Sequence, residues 1–168
     1  MSTRSNSSRR RVWLYARILL LWLVPISGLA IWMEVQTLRA TQYDQRHESE
    51  ANLKQLAGEA ILYSYNHHGR LPNLSTPQAV IEDLFPYVKN YCLFRQPNTK
   101  RPYEFNQALS RRSTHSMNGK GWLPFAWEPN RWPDGTRACA FIRFSNGTPD
   151  LEVRWMDPDV WQQTRGPS

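Results

Sequence analysis

Residues 52–72, reading NLKQLAGEAILYSYNHHGRLP, hold the pattern that most limits how this chain can fold. Apolar or small side chains recur at Leu53, Leu56, Ala57, Ala60, Ile61 and Ser64-Tyr65, one stripe of a helix with about 3.6 residues per turn. Gly69 supplies a left-handed stop, and Pro72 forbids resumption. The charged stretch Glu34 to Glu50 keeps a helix-forming composition without Gly or Pro, so the helix is expected to run unbroken to about His67. An apolar stripe needs a surface to cover it. Arg137 to Ser145 (RACAFIRFS) alternates as a strand does, Asn146-Gly147 signals a tight turn, and Leu151 to Trp155 reads as the returning strand. Thr148-Pro149-Asp150 is expected to lengthen that loop. The fold class is therefore α+β, a long N-terminal helix packed on a small antiparallel sheet.

Ahead of the stripe, Val12 to Met33 is apolar except for Arg17, Ser27 and Gly28, and Pro25 interrupts it. At ~1.5 Å rise per residue the segment reaches ~33 Å, enough for a hydrocarbon core of ~30 Å. Trp13, Tyr15 and Trp32 sit toward its ends as interfacial aromatics, and Arg17 is placed to snorkel. The net charge of +7 suggests nucleic acid at first sight, but Arg4, Arg9, Arg10, Arg11 and Arg17 carry most of the excess. Without these five, 16 basic side chains face 14 acidic ones. The charge is thus the positive-inside flank of a membrane segment, with the N-terminus in the cytoplasm and residues 34–168 outside it. A cleavable signal peptide is the alternative, with Gly28-Leu29-Ala30 as its small-residue site, although Ile31 and Trp32 would then follow the cut. The expected partner is the lipid bilayer, not nucleic acid.

The expected organisation is a basic tail (1–11), a transmembrane helix (12–33), an extramembrane stalk helix (34–68) and a globular domain (69–168). Within the last, Thr76-Pro77 opens a short helix with a capping hydroxyl and a proline at its first position. That helix turns Val80, Ile81, Leu84 and Phe85 inward and is expected to end at Pro86. Ser110 to Asp134, dense in Asn, Gly, Pro and Ser, reads as loop.

Asn52-Leu53-Lys54-Gln55-Leu56, Tyr65 and Gly69-Arg70-Leu71-Pro72 resemble the stalk helix of bacterial type II secretion pseudopilins. More closely, the chain is similar to prepilin-like proteins with a C-terminal His-x9-Asp-Gly signature. The resemblance continues through Leu84-Phe85-Pro86-Tyr87-Val88-Lys89-Asn90, Phe94-Arg95-Gln96-Pro97 and Tyr103-Glu104-Phe105-Asn106, covering about residues 50–155. It implies a single-pass envelope subunit with a structural or interactive role, not an enzyme, and secretion or pilus-like proteins as partners. The signature itself is degenerate: Trp132 stands near the expected His, and Asn146-Gly147 replaces Asp-Gly. The Gly-Phe-x-x-x-Glu motif at which prepilins are cut and methylated is not present around Arg11 to Ala16. The expectation is a pilin-like protein that is not itself polymerised.

Few residues offer chemistry. Cys92 and Cys139 are an even pair in an exported chain and can form a disulfide, for which loop-closure entropy gives ~4 kcal/mol; two separate thiols are the alternative. Trp122, Trp127 and Trp132 stud the Pro-rich loop and form a candidate interaction surface, the basis of an alternative reading as a ligand- or glycan-binding domain. His67-His68 point ~100° apart on a helix, poorly placed to share a metal. Asp150, Glu152, Asp157 and Asp159 are oxygen-rich but lack a calcium-loop spacing. Arg111, Arg112, Arg131 and Arg137 read as a solvated face. No catalytic motif, phosphate loop or cofactor signature is present, so no catalytic residue, cofactor or metal is expected.

Overall fold

The structure, a computed structural model, describes residues 6–160, with side chains described from Ser27 onward. Three helices, α1 (Asn6–Asn66), α2 (Pro77–Val88) and α3 (Thr114–Met117), accompany four strands, β1 (Glu104–Phe105), β2 (Leu123–Trp127), β3 (Arg137–Ser145) and β4 (Thr148–Met156). The strands form one antiparallel sheet in the order β1-β2-β3-β4. The chain divides into two compact units, Met1–Tyr43 and Asp44–Ser168. The boundary therefore falls inside α1: the globular unit begins at Asp44, not at residue 69, because the helix face beyond that point belongs to its core.

In the first unit every described side chain is exposed, Leu29, Ile31, Trp32, Met33, Val35 and Leu38 among them. Among the described residues no helix is long and apolar enough to cross a membrane. The apolar segment Val12–Met33 lies for most of its length outside the described side chains, and part of the basic tail lies outside the described residues altogether.

In the second unit the predicted stripe is the buried one. Leu53, Leu56, Ala57, Ala60 and Ile61 share a core with Ala138, Ala140, Ile142 and Phe144 of β3, and with Val80, Leu84 and Val88 of α2. Alternate residues of β3 face the other way: Cys139 and Phe141 join Trp127 and Met156 in a second, smaller cluster. A bulge in β2 serves both sides. Pro124 opposes Phe141 and Ala126 opposes Ala140, so Phe125 is the extra residue, and Phe125 and Ala126 both enter the helix-side core while Trp127 returns to the far face.

The stops follow local chemistry. α1 ends three residues before Gly69, whose N–H donates to the Ser64 carbonyl at 2.8 Å while its backbone takes φ +75°; a side chain there would be strained. Thr76 caps α2 by accepting from the Ala79 N–H at 3.2 Å. That helix continues past Pro86 to Val88, where Lys89 takes a left-handed cap and donates to the Phe85 carbonyl. Proline in a last turn forfeits only one backbone bond, and burial of Val88 in the core opposes that loss. β4 starts immediately after the turn, with Thr148 opposite Ser145, and not at Leu151: Asn146 (φ 52°) and Gly147 (φ 80°) make a two-residue turn that matches the strand twist. The stretch 110–134 holds α3 and β2, elements that Pro124 and the shortness of both conceal in the sequence.

The helix face can be tested with one pair of changes. Leu56→Asp places an unpaired charge where Leu56 is fully buried and is expected to cost more than about 4 kcal/mol, leaving the globular unit unfolded. Gln55→Asp, at an exposed position, is expected to stay within about 0.5 kcal/mol of the parent. Denaturant unfolding of the solubilised full chain, followed by circular dichroism, separates the two.

Candidate functional site

The polar side chains with the most unusual surroundings lie between α1 and the end of β2. The helical stripe continues backward in register as Asn52 and Ser49, small polar residues that are buried like the leucines after them. Ser49 meets Tyr103, just ahead of β1, and Glu128, just after β2, and all three are fully buried. The Ser49 hydroxyl donates to Glu128 Oε1 at 2.5 Å. Since that uses its one proton, the Tyr103 hydroxyl, 2.9 Å away, is the donor to Ser49 Oγ. Glu128 Oε2 accepts from Trp132 Nε1 at 2.7 Å and from the Ala138 backbone N–H at 2.8 Å. The Glu128 backbone closes onto Ala138 as well, its N–H donating to the Ala138 carbonyl at 3.1 Å.

Burial raises the Glu128 carboxyl above the ordinary carboxylate value, and the bonds from Ser49, Ala138, Trp132 and Gln96 only partly oppose it. Burial likewise drives the Tyr103 phenol upward, with Glu128 adding to the effect. Oε2 receives two N–H donors and Oε1 the Ser49 hydroxyl, so both oxygens of this buried carboxyl are engaged.

Trp132 extends the cluster to a cation. The Arg46 guanidinium of α1 lies 5.1 Å from the Trp132 ring centroid and 5.2 Å from that of Trp155, and it pairs with Asp134 at 2.5 Å. The hydrogen bond from Arg46 is the main reason that the Asp134 carboxyl is lowered to about 2. Arg46, Ser49, Leu53 and Leu56 thus form one continuous face of α1, cation first, hydroxyl next, then aliphatic core.

This arrangement fastens the fold and offers little to a substrate. The Ser49 hydroxyl and the Glu128 carboxyl are fully buried and bonded to one another, to Tyr103, to Trp132 and to the Ala138 N–H, which leaves no room for a reacting group. Two surface cavities, of about 600 and 490 Å³, are lined by other residues: Glu104, Asn106, Gln107 and the start of α2 in the first, and Tyr65, Thr114, His115 and the β3–β4 turn in the second.

The residues marked in the sequence are not brought together. Cys92 is exposed in a short 3-10 turn (Tyr91–Phe94), whereas Cys139 is buried on the far face of the sheet among Trp127, Phe141 and Met156. Both are free thiols, so the expected Cys92–Cys139 bridge is not formed: one sulfur faces solvent and the other is sealed in a core. The three tryptophans of the candidate surface sit in different surroundings. Trp127 is buried and donates to Glu104 Oε2 at 2.6 Å, Trp132 is buried against Glu128, and only Trp122 keeps partial exposure, with Arg143 and Arg154 over its ring at 4.6 and 5.3 Å. Trp127 also lines the cavity of about 600 Å³. His67 stacks on Tyr63 at 3.7 Å, and its Nδ1 lies 2.9 Å from the Tyr63 carbonyl. Asp150 pairs with Arg143 and Glu152 with Arg154. Among the described residues no group of three or more His, Cys, Asp or Glu is placed to hold a metal ion.

Compared with protein-family models, with curated proteins and with solved structures, the chain gives no match. The site therefore has to be understood from its own chemistry.

Two outcomes test it. Glu128→Ala leaves Ser49, Trp132 and the Ala138 N–H without their acceptor in a dry site and is expected to cost about 3–5 kcal/mol. Glu128→Gln can keep its oxygen toward Trp132 and Ala138 and its amide toward a rotated Ser49, so it is expected to cost much less. The folded protein holds the Glu128 proton more tightly than the unfolded chain, so parent stability falls as pH rises from the ordinary carboxylate value through the raised one. Urea unfolding between about pH 4 and 8 is expected to show that fall in the parent and a flatter profile in Glu128→Gln. In the second test, burial pushes the Cys139 thiol up to about 12. Iodoacetamide is thus expected to label Cys92 alone in native protein, and both thiols after denaturation without reductant.

Proposed function

We propose that this protein is a single-pass, membrane-anchored envelope protein, similar to pseudopilins, whose globular unit has a structural or protein-interaction role. One observation carries the reading: α1 buries its face in the sheet only beyond Asp44, while residues 27–43 of the same helix leave Leu29, Ile31, Trp32, Met33, Val35 and Leu38 exposed. A soluble helix does not keep such a run uncovered without a partner. The arginine-flanked apolar segment just before it makes the lipid bilayer that partner, with the globular unit on the outer side. Secretion or pilus-like envelope proteins are the further partners that the pseudopilin likeness suggests.

A non-catalytic role is supported by the chemistry of the globular unit, whose buried carboxylate is spent on fastening α1 and cannot be reached by a substrate. Assembly of the uncut chain into a filament is not expected. Moving Arg9, Arg10, Arg11 and Arg17 into an apolar helix bundle would cost several kcal/mol each, at roughly 2.5–3.5 kcal/mol per charge on insertion scales.

A periplasm-dependent reporter fused after Ser168 is expected to be active, with the fusion remaining in the membrane fraction after alkaline extraction and its N-terminal residues intact. Activity only with a cytoplasmic reporter would refute the topology. A mature N-terminus at Ile31 would replace the anchor by a signal peptide. A methylated N-terminus near Val12 on co-expression with a prepilin peptidase would restore the polymerising class.

A further inference from the structure

β4 is an edge strand of nine residues, and among the described residues no other strand pairs with its outer side. Long edges of this kind are templates for another strand. Which backbone groups point outward follows from the hairpin. Ser145 and Thr148 flank a two-residue turn, so they form a hydrogen-bonded pair, and alternate residues from Pro149 onward face away from β3. Three further observations agree. Pro149, which has no N–H to offer, falls at an outward position. Its opposite residue, Phe144, gives its carbonyl to Gly119 at 3.0 Å instead of to β4. Ala138, opposite Trp155, spends both backbone groups on Glu128. The N–H and C=O groups of Leu151, Val153 and Trp155 therefore form the outward row.

The side chains of the same segment are self-complementary. Leu151, Val153 and Trp155 stand on the helix side of the sheet and are only partly buried, so they have apolar surface left to cover. Glu152 and Arg154 stand on the opposite face, with side chains 45% and 40% exposed, 2.7 Å apart in their ion pair. Read outward from Val153, an apolar residue and a charge of opposite sign lie on each side. A second copy running antiparallel about Val153 would bring Glu152 opposite Arg154 of that copy, Arg154 opposite its Glu152, and Leu151 opposite its Trp155. Val153 and the Leu151–Trp155 pairs would occupy the hydrogen-bonded positions. Both charge pairs would fall at the non-hydrogen-bonded positions, where side chains approach most closely. A register centred on Leu151 would set Asp150 against Glu152 and repel, and one centred on Glu152 or Arg154 would set that charge against itself, so only pairing about Val153 gives opposite-charge pairs with no like-charge contact on the axis.

We propose that two copies of this chain pair antiparallel through their β4 edges about Val153, joining two four-stranded sheets into one. The pairing is independent of the membrane anchor and stands even if that reading fails, because every contact lies in the globular unit.

Light scattering on the detergent-solubilised full chain, over a concentration series, measures the association. The parent is expected to reach the mass of a dimer. Glu152→Arg sets four arginines around the axis and Arg154→Glu sets four glutamates, and each is expected to weaken the dimer at least about tenfold. Arg154 also lies over Trp122 and Phe141, so circular dichroism of each variant checks the fold. Where a reversal disturbs it, Glu152→Gln and Arg154→Gln read the same contact with a smaller weakening. The decisive arm is the mixture: Glu152→Arg with Arg154→Glu restores both opposite-charge pairs, so a heterodimer is expected at parental affinity. A parent that stays monomeric throughout overturns the proposal. So do single variants that dimerise as tightly as the parent, which would move the contact elsewhere, and a mixture no tighter than its separate components.

Discussion

The architecture of the globular unit depends on the desolvated carboxylate of Glu128. It is the one point at which α1, the segment before β1, the end of β2 and the start of β3 all converge on a single side chain or its immediate partner. Apolar packing alone would let a helix slide or rotate on a sheet of alanines and isoleucine at modest cost. A buried, fully bonded carboxyl group does not allow that, because any displacement that strands it or one of its donors forfeits a hydrogen bond in a medium that cannot replace it. Packing supplies most of the energy of this interface, and Glu128 supplies its register. That it accepts from neutral donors, with its carboxyl raised by burial, shows that the site works by exact satisfaction and not by charge pairing.

Arg46 performs a related task at the solvent edge. Its ion pair with Asp134 is half exposed, and such pairs contribute about 1 kcal/mol or less. The guanidinium also packs on Trp132 and Trp155, a contribution of similar size that ties the start of the buried face to the ring bonded to Glu128. The helix is therefore fixed by three kinds of contact in succession along one face, which passes from exposed at Asp44 through partly buried Arg46 to fully buried Ser49.

Much of this plan is legible in the sequence. The 3.6-residue stripe, the Gly69 stop, the Thr76-Pro77 start and the RACAFIRFS strand with its Asn-Gly turn each depend on local backbone chemistry, and each is found where that chemistry puts it. What the sequence conceals depends on distant partners. β2 contains a proline and a bulge, so its five residues show no alternation. Glu128 lies 79 residues from Ser49 and looks like a loop carboxylate between a tryptophan and a proline. A signal did exist: Ser49 and Asn52 continue the apolar stripe in register, and polar residues on a buried face call for a polar partner on the sheet. Trp127 and Trp132 mislead in the opposite direction, since a Pro-rich loop suggests exposure and both rings are in fact interior.

The separation between Ser49 and Glu128 also orders events in time. The β3–β4 hairpin closes over a two-residue turn, a local step of microseconds, whereas docking α1 requires closing a loop of most of the domain. A chain made from its N-terminus delivers Leu53, Leu56 and Ile61 long before Glu128 or β3 has been added to cover them. That face must pass through an interval with no native partner, and the tight Asn146-Gly147 reversal shortens the interval by presenting a ready-made docking surface as soon as residue 156 is free to fold. Sequence order thus makes α1 the first element to be exposed and the last to be secured.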